Sequence, residues 1–404
     1  MRSKLKILND PIYGFITIPG KLIFDLIAHP YFQRLRRISQ MGMSYLVFPG
    51  AHHTRFHHAL GCMHLMQKSV EVLRLKGVKI SNAEEEGLLI AILLHDIGHG
   101  PFSHAMENSI VNGVSHEQIS LQFMEKMNAD FNQSLTLAIQ IFKGEYPRKF
   151  FCQLIASQLD MDRMDYLKRD SFYTGVPEGN INGDRLIAML NVVDDELVVE
   201  EKGIYSVEKF LIARRLMYWQ VYLHKTSFAA EQLLIRILKR AKILVSNGKK
   251  LPATLAFSYF LEKKINASNF NSDTLEIFAR LDDSDIVSAM KEWCFCDDFV
   301  LRNLCEMIID RKLLKVKVKK TPFSQEKLEK QLKKCCNKYG ISKEEAAYFV
   351  FSGEISNLAY ERKKGNILIL HKNGKISDVA KASDQLNIEA LSEPVTKYYF
   401  CFPK

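Results

Sequence analysis

Residues 87–104 read GLLIAILLHDIGHGPFSH, an apolar stretch that runs directly into two ionisable residues. Every position from Leu88 to Leu94 is apolar, which predicts a helix buried on all sides. Ser81 and Glu84 form a capping box at its start, and the helix ends in His95-Asp96. Burying two such residues costs roughly several kcal/mol unless other groups pair with them. The stretch therefore predicts a polar site at the end of a central helix.

The histidines are crowded into the same part of the chain. Nine of the twelve lie between His52 and His116. Core packing explains this poorly, because each buried imidazole needs partners for its ring nitrogens. The crowding predicts a metal or acid–base site spread over several elements. The nine are His52, His53, His57, His58, His64, His95, His99, His104 and His116.

Two further helices supply candidate ligands. A long helix with Thr54 as its N-cap runs to about Lys76 and carries His58 at the flank of its apolar stripe. Another helix is predicted over about residues 150–168. At about 100° per residue, Asp162 is the one that falls on the core-facing stripe among Asp160, Asp162, Asp165 and Asp170.

His58, His95, Asp96 and Asp162 together form a mixed nitrogen and oxygen donor set. Such a set suits one divalent metal such as Mn, Fe, Ni, Co or Zn, and it leaves coordination positions open to water or phosphate. Each residue alone would more simply be a core polar group with satisfied hydrogen bonds. The four together favour a metal site.

The composition is that of a globular protein. Of 404 residues, 47% are apolar and 25% are charged, which excludes disordered, collagen-like and disulfide-stapled classes. The longest apolar run is far shorter than the ~20 residues that span a bilayer, and the first residues lack the apolar core of a signal peptide. Eight cysteines without a CxxC pair favour a reducing, cytoplasmic setting. We therefore expect a cytoplasmic protein without a membrane span.

The ends of the chain carry β-strand patterns. KLKILND and GFITIP, joined at Asp10-Pro11, predict an N-terminal β-hairpin. Near the C-terminus, a helix over 324–338, several strands and an Asn373-Gly374 turn predict a small α/β lobe on an antiparallel sheet. The fold class is mainly α. We expect a helical core over residues 1–240, a helical extension over 241–312 and the small lobe over 313–404.

The positive charge leaves two interpretations open. The chain has 56 Lys and Arg against 46 Asp and Glu, a net charge of +10. Such a balance means either a well-solvated surface or attraction for the phosphates of nucleotides or nucleic acid. The basic run Arg311–Lys320 is likewise either an edge strand guarded by outward lysines or a phosphate-binding surface.

Four segments resemble the motifs of the HD-domain phosphohydrolases. They are HHTRFHHALG (52–61), LLHDIGHGPFSH (93–104), VSHEQIS (114–120) and LDMDRMDYLKRD (159–170). Within that family they are most similar to the branch of the sterile-alpha-motif and HD-domain dNTP triphosphohydrolase and its bacterial relatives. The resemblance covers residues 6–228. It implies an HD-domain helical core, with the metal held by His58, His95, Asp96 and Asp162.

The resemblance also implies roles for residues around the metal. His99, His104 and His116 match catalytic histidines, and Glu107, three positions after His104, would orient it. The implied substrate-binding residues are Gln40, Arg55, Arg163, Tyr166, Asp170, His224 and Phe228.

Three positions depart from the family's substrate-binding pattern. Phe228 stands where a tyrosine stacks near deoxyribose. Gln220 replaces an arginine on the phosphate tail, and Ala229 replaces a glutamine that contacts the base. These departures concern recognition of the triphosphate end and of the base, and they leave the residues implied at the scissile bond unchanged.

The family's nucleotide activator site is matched in part. Lys6, Gln33 and Arg36 correspond to residues that bind a guanine nucleotide, while Ala28 replaces the aspartate that reads guanine. The implied partners are a nucleotide substrate, a nucleotide activator and further copies of this chain in a homodimer or homotetramer. Nucleic acid is a secondary candidate, and no membrane partner is expected.

The implied reaction is hydrolysis of a dNTP to deoxynucleoside and tripolyphosphate. His104, kept cationic by Glu107, would act as general acid, and Mg²⁺ could accompany the phosphates. Two alternatives remain open. The first is a phosphomonoesterase or phosphodiesterase acting on smaller or cyclic nucleotides. The second is a scaffold that binds nucleotide or nucleic acid without turnover.

Overall fold

The chain is mainly α-helical, as the sequence predicts. The computed structural model describes residues 6–102, 104–107, 109–361, 365–383, 391 and 393–404, with the backbone alone at 104, 107 and 112. The α-helices are α1 (Lys21–Ala28), α2 (Pro30–Gln33), α3 (Arg55–Leu75), α4 (Asn82–Leu94), α5 (His104–Glu107), α6 (His116–Asp130), α7 (Thr136–Phe142), α8 (Lys149–Ile155), α9 (Met161–Thr174), α10 (Gly183–Ala188), α11 (Ile204–Met217), α12 (Lys225–Ser246), α13 (Leu255–Glu262), α14 (Ser272–Phe278), α15 (Asp283–Trp293), α16 (Phe299–Ile309), α17 (Gln325–Tyr339), α18 (Lys343–Ala346) and α19 (Val379–Ala382). The strands are β1 (Lys6–Asp10), β2 (Gly14–Ile18), β3 (Val111–Asn112), β4 (Leu190–Val193), β5 (Glu196–Glu200), β6 (Ile265–Asn266), β7 (Lys315–Lys319), β8 (Phe351–Asn357), β9 (Leu368–Leu370), β10 (Ile376–Asp378) and β11 (Val395–Phe402).

Helix α4 is the buried centre of the fold. Each side chain from Leu88 to Leu94 is at most 1% exposed, and α4 packs against α3 and α7. Its predicted capping box is present, because Ser81 N donates to Glu84 Oε2 at 2.8 Å and Glu84 N donates to Ser81 Oγ at 3.2 Å. Helix α3 also begins where predicted, after Thr54. Among the described residues, no helix has the length and apolarity needed to cross a bilayer.

The single helix predicted over residues 150–168 is wrong. The chain forms α8 and α9 instead, separated by residues 156–160. Asp160 caps α9, since its carboxylate accepts hydrogen bonds from Arg163 N (2.7 Å) and Ser157 N (2.8 Å). A capping carboxylate competes with the helical backbone, which explains why the helix stops there. Asp162 therefore lies in the first turn of a new helix, and its position relative to residues of α8 does not follow a helical wheel.

The strands form small sheets at the borders of the helical body. The predicted hairpin of β1 and β2 is present. The C-terminal strands divide between two sheets, with orders β7-β11-β8 and β10-β9-β5-β4. In the second sheet, β9 pairs in parallel with β5, so C-terminal residues complete a sheet begun by the β4–β5 hairpin. The division of the chain at residues 240 and 312 stays a prediction, and α12 runs across the first of these positions.

A buried ion-pair chain attaches the N-terminal hairpin to the core. Arg169 on α9 donates from Nη1 to Asp10 Oδ2 at 2.8 Å. It also donates from Nε and Nη2 to the two oxygens of Asp165, at 2.8 and 2.9 Å. Arg169 and Asp165 are fully buried, and Asp10 is 6% exposed. Removing one partner would leave an uncompensated buried charge, which costs about 3–5 kcal/mol.

Gly61 on α3 packs so closely against this ion-pair chain that no space remains for a side chain. A Cβ there would lie inside van der Waals contact with Asp165 Oδ1 and Arg169 Nη2. We expect Gly61→Ala to lower the free energy of unfolding by about 3 kcal/mol, because the neighbours can move only by breaking their ion pair. Urea denaturation measures the change. Gly183→Ala is the matched control, since nothing lies within 4 Å of a Cβ at Gly183. Equal stabilities of the two variants would contradict the close packing at Gly61.

Candidate metal centre and its cavity

The four predicted metal ligands come together where α3, α4 and α9 meet. His58 Nε2 lies 3.0 Å from Asp162 Oδ1, and His95 Nε2 lies 3.6 Å from the same oxygen. Asp96 follows α4 directly and places Oδ1 3.5 Å from His95 Nε2 and Oδ2 3.8 Å from His58 Nε2. Two imidazoles and two carboxylates thus present donor atoms to one small space.

The outer nitrogens of both imidazoles are engaged by acceptors. His58 Nδ1 lies 2.7 Å from Asp165 Oδ2, and His95 Nδ1 lies 2.6 Å from the carbonyl oxygen of Ile92. Since neither acceptor can donate, both Nδ1 atoms carry the hydrogen, and both Nε2 lone pairs face the cluster. Burial opposes the ionisation of Asp165, but the charge of Arg169 lowers the pKa of Asp165 to about 2.

The cluster fits a divalent cation. His95 Nε2 is buried and has no hydrogen-bond partner among the described residues. An orphaned buried nitrogen is unfavourable unless something satisfies its lone pair, and a cation between the four side chains would do so. Burial opposes the ionisation of Asp162 as well, but the adjacent imidazoles of His58 and His95 lower its pKa, which keeps the carboxylate charged.

A thiol lies next to the cluster without matching a ligand position. The donor atoms of His58, Cys62, His95 and Asp162 all lie within 4.8 Å of one another. Cys62 Sγ is nearly equidistant from His58 Nδ1 (3.5 Å) and Nε2 (3.6 Å), so it lies beside the ring rather than along the Nε2 lone pair. Burial raises the pKa of Cys62 far above its usual value, and a neutral thiol is a poor ligand. The geometry therefore favours the four nitrogen and oxygen donors over the thiol as the set that could hold a cation.

Two of the three predicted catalytic histidines adjoin Asp96. The rings of His99 and His116 stack with centroids 3.9 Å apart, and His99 Nε2 lies 3.3 Å from Asp96 Oδ1. Burial, together with the charge of Arg55, lowers the pKa of His99 to about 3, so this imidazole is neutral near pH 7. His104 and Glu107 lie on α5, but their side chains are outside the described part of the structure.

A cavity of about 540 Å³ opens onto this cluster. Arg55 and Arg163 lie on its wall, and each is anchored by a carboxylate. Arg55 Nη1 donates to Asp96 Oδ2 at 2.5 Å, and Arg163 pairs with Asp160. Both arginines keep a buried Nε without a hydrogen-bond partner among the described residues. The cavity wall therefore carries two positive charges at fixed positions, and each arginine keeps an Nε–H group that can donate a further hydrogen bond.

The buried carboxylate of Asp170 also lines the cavity. Tyr222 lies in a π-helical turn after α11, and its hydroxyl donates to Asp170 Oδ2 at 2.8 Å. His53 Nε2 lies 2.7 Å from the other oxygen of Asp170. Gln40 and Tyr166 line the cavity as well. Such π turns often occur at functional sites because they widen a helix locally.

His224 and Phe228 are not among the residues that line this cavity. The His224 side chain caps α12 by accepting from Thr226 N, while the Phe228 ring packs on Tyr399 at 4.6 Å. The same helix lines the cavity with Ser227, Glu231 and Leu234 instead.

The three residues matched to an activator site lie outside the cavity. Arg36 Nε donates to Gln33 Oε1 at 2.9 Å, and its guanidinium lies 3.6 Å from the Phe56 ring centre. Lys6 Nζ lies 4.7 Å from the centre of the Phe24 ring. The structure thus joins Gln33 and Arg36 directly and places Lys6 over an aromatic ring.

Three functional contacts were not predicted from the sequence. Asp165 orients His58, His53 pairs with Asp170, and Arg34 supports the backbone after the His-Asp pair. Arg34 is fully buried and donates to the carbonyl oxygens of Ile97 (3.1 Å) and His99 (2.6 Å). Asp165 had a visible signal, because it precedes Arg169 by four positions and an ion pair at that spacing is typical of helices.

Comparison with known families identifies the same region. Residues 55–181 match the HD domain, and residues 181–256 match the HD associated region. The uncharacterised protein YwfO of Bacillus subtilis is 34% identical over 94% of this chain and 88% of its own length. Human deoxynucleoside triphosphate triphosphohydrolase SAMHD1 is 29% identical over 61% of this chain and 47% of its own length. The chain thus spans about half the length of that enzyme.

Solved structures extend the likeness to the whole chain. A phosphohydrolase from Bacteroides thetaiotaomicron superposes with a TM-score of 0.96 at 52% identity, covering 99% of this chain and all of that one. A hypothetical protein from Aquifex aeolicus superposes with a TM-score of 0.74 at 29% identity, covering 98% of this chain and 96% of its own.

Asp165 should control metal affinity through His58. We expect Asp165→Asn to weaken binding of Mn²⁺ or Zn²⁺ about 10–100-fold, because the tautomer and orientation of His58 are no longer fixed. Competition titration against a chromophoric chelator measures the affinity.

Cys62→Ser is the matched control for that titration. It changes another buried neighbour of the same imidazole, and its metal affinity should remain within about threefold of that of the unmodified chain, an allowance for altered packing. A larger loss in Cys62→Ser than in Asp165→Asn would identify the sulfur as a ligand and contradict the assignment.

Proposed function

We propose, from the premise that this chain belongs to the HD-domain phosphohydrolase family, that it hydrolyses nucleotides and prefers dNTPs. The products would be a deoxynucleoside and tripolyphosphate. Two relatives named deoxynucleoside triphosphate triphosphohydrolases, from Dictyostelium discoideum at 32% and human at 29% identity, support this choice of substrate. The HD motifs themselves support only phosphohydrolysis.

One observation carries the proposal. A single cavity of about 540 Å³ is lined by Asp96 and Asp162 of the metal cluster, by Arg55 and Arg163, and by Asp170. This volume is within the usual range of roughly 300–1,000 Å³ for small-molecule sites. The two arginines suit phosphate oxygens, and a buried carboxylate suits a sugar hydroxyl. These residues support a proposal in which metal, phosphate and sugar bind in one cavity.

The chain's own residues divide the chemistry between them. His58, His95, Asp96 and Asp162 would hold a divalent metal of the Mn, Fe, Ni, Co or Zn type. When bound, such an ion acidifies water and withdraws charge from a phosphoryl oxygen. Arg55 and Arg163 stabilise developing phosphate charge with preorganised donors.

Proton transfer is assigned to His104. This residue begins α5, and Ala105 of the same helix lines the cavity. We assign to His104 the donation of a proton to the leaving oxygen, and to Glu107 its orientation. His99 is neutral and stacked on His116, so it suits hydrogen bonding to the phosphate rather than charge neutralisation. His116 lies at the cavity wall beside it.

A second candidate reaction has one observation in its favour. Gln220, where the family has a phosphate-tail arginine, is exposed and is not among the residues that line the cavity. A site with fewer tail contacts would suit a phosphomonoesterase or phosphodiesterase acting on smaller nucleotides.

The oligomeric state and the cellular compartment of the chain are also proposed from its family membership. We propose a homodimer or homotetramer, with a nucleotide activator bound near Gln33 and Arg36. All eight cysteines are free thiols, which supports a reducing compartment such as the cytoplasm.

Substrate and product identify the reaction. The purified chain with Mn²⁺, Mg²⁺, Co²⁺ or Ni²⁺ should release tripolyphosphate from dNTPs, measured by anion-exchange chromatography. Arg163→Met should lower kcat/KM about 10²–10³-fold, as loss of a preorganised charge donor does. Arg280→Met, which alters an exposed arginine, should not. Orthophosphate release from monophosphates would favour the second candidate, and binding without turnover under every metal would contradict both.

A further inference from the structure

The net charge of the chain is confined to one segment. Residues 311–343 contain twelve Lys and Arg but two Asp and Glu, a net charge of +10. The remaining 371 residues contain 44 of each kind and are neutral overall. All twelve basic side chains of the segment are exposed. A surface that only keeps the protein hydrated does not need its positive charge concentrated in one segment. We therefore interpret residues 311–343 as a binding surface for an anionic partner.

Few of these charges are compensated by carboxylates. In the described part of the chain, ion pairs engage only Lys312, with Asp310, and Lys343, with Glu329. By contrast, both arginines of the cavity are paired with buried aspartates. The segment therefore carries positive charge available to an external partner.

The register of the sheet places each lysine of β7 opposite an aromatic residue of β11. Strand β7 pairs with β11 so that Lys315 lies opposite Phe402, Lys317 opposite Phe400 and Lys319 opposite Tyr398. Residues opposite one another in an antiparallel pair project from the same face. The three lysines repeat about every 7 Å along an edge strand, each beside a ring.

Helix α17 meets the same face through Phe323. The ring of Phe323 packs on Phe400 with centroids 5.3 Å apart. Lys319 Nζ and Lys327 Nζ lie 4.5 and 5.1 Å from its centre. The lysines of β7 and the first lysine of α17 thus surround one aromatic cluster. We name this face, formed by Lys315, Lys317, Lys319, Lys327, Phe323 and Tyr398, the lysine–aromatic surface.

We propose that the lysine–aromatic surface binds single-stranded nucleic acid. Lysines contact phosphates without reading sequence, and bases stack on aromatic rings with little base preference. The lysines of β7 provide phosphate contacts along the edge of the sheet, and the half-buried rings of Tyr398 and Phe323 beside them provide stacking contacts. Phe400, at 1% exposure, supports the Phe323 ring from the protein interior. This function is separate from hydrolysis, because none of these residues lines the cavity.

An anionic membrane fits the surface less well. Membrane-surface helices insert large apolar side chains between the lipids. Within the described residues 311–343, Val318 is the one exposed large hydrophobic residue, at 38% exposure. The apolar side chains Leu332 and Cys335 of α17 are buried in the protein.

Fluorescence anisotropy with labelled 20-nucleotide dT and rU strands tests the proposal. We expect Lys317→Gln/Lys319→Gln/Lys327→Gln to weaken binding at least tenfold at 0.1 M salt. The slope of log affinity against log salt should fall in magnitude by about 2, since each lost phosphate contact contributes about 0.7. Lys249→Gln/Lys250→Gln/Lys264→Gln removes the same charge from exposed positions outside the segment and should bind like the unmodified chain. Equal losses in the two triple variants would overturn the proposal.

A second variant separates single strands from other polyanions. Tyr398→Leu keeps apolar bulk and should weaken single-strand binding about fivefold, because stacking on one base is lost, while leaving binding to a 20-base-pair duplex unchanged. Equal affinity of the unmodified chain for duplex, or binding only to phosphatidylserine vesicles, would overturn a single-strand site. Because the cavity is untouched, the first triple variant should keep full hydrolytic activity. Failure of the nucleic-acid site and failure of the proposed hydrolysis are therefore distinguishable.

Discussion

The candidate site depends on a buried chain of alternating charges that runs from Asp10 through Arg169 and Asp165 to His58. Each member satisfies the next, so none can be removed without leaving a charge or a lone pair uncompensated in the interior. The chain joins the N-terminal hairpin, α9 and α3, and its last hydrogen bond turns the His58 lone pair toward the cluster. The hairpin therefore docks through the same arginine that pairs with Asp165, the carboxylate that fixes the tautomer of the imidazole.

Asp96 links the cluster of four nitrogen and oxygen donors to the arginines of the cavity wall. Its Oδ1 approaches His95 and His99, while its Oδ2 accepts from Arg55. A metal ion at the cluster and a phosphate at Arg55 would thus act on the same carboxylate. Arg34 donates to two carbonyl oxygens of this turn, those of Ile97 and His99, and to that of Leu281, and burial lowers the pKa of Arg34 to about 9. Because the hydrogen-bond acceptors of Arg34 are backbone carbonyl oxygens, Arg34 brings no further carboxylate into the region where Asp96 would bind a metal.

Local signals in the sequence were sufficient for some elements and not for others. The capping residues Ser81 and Thr54 and the apolar run before His95 gave α4 and α3, because these features act within a few residues. The prediction of one helix over 150–168 is wrong because Asp160 is the N-cap of a new helix and not a helix-interior residue. Asp162 lies beside His58 and His95, although the helical-wheel argument for it is wrong. The pairing of β9 with β5 joins residues about 170 apart, and no local pattern specifies such a partner.

The two positive regions of the molecule differ in physical kind. Arg55 and Arg163 are held by carboxylates in a cavity, so their positive charge acts at hydrogen-bond distance and is screened little by salt. The lysines of residues 311–343 stand in solvent, where their field extends over about 10 Å at 0.1 M salt and weakens as salt rises. The net charge of +10 describes only the second region, since the rest of the chain is neutral. Composition alone could not separate the two, because a count of charges carries no information on pairing or burial. An arginine paired with a carboxylate adds nothing to net charge yet can position a phosphate, whereas an unpaired lysine adds one full charge and positions nothing until a polyanion arrives.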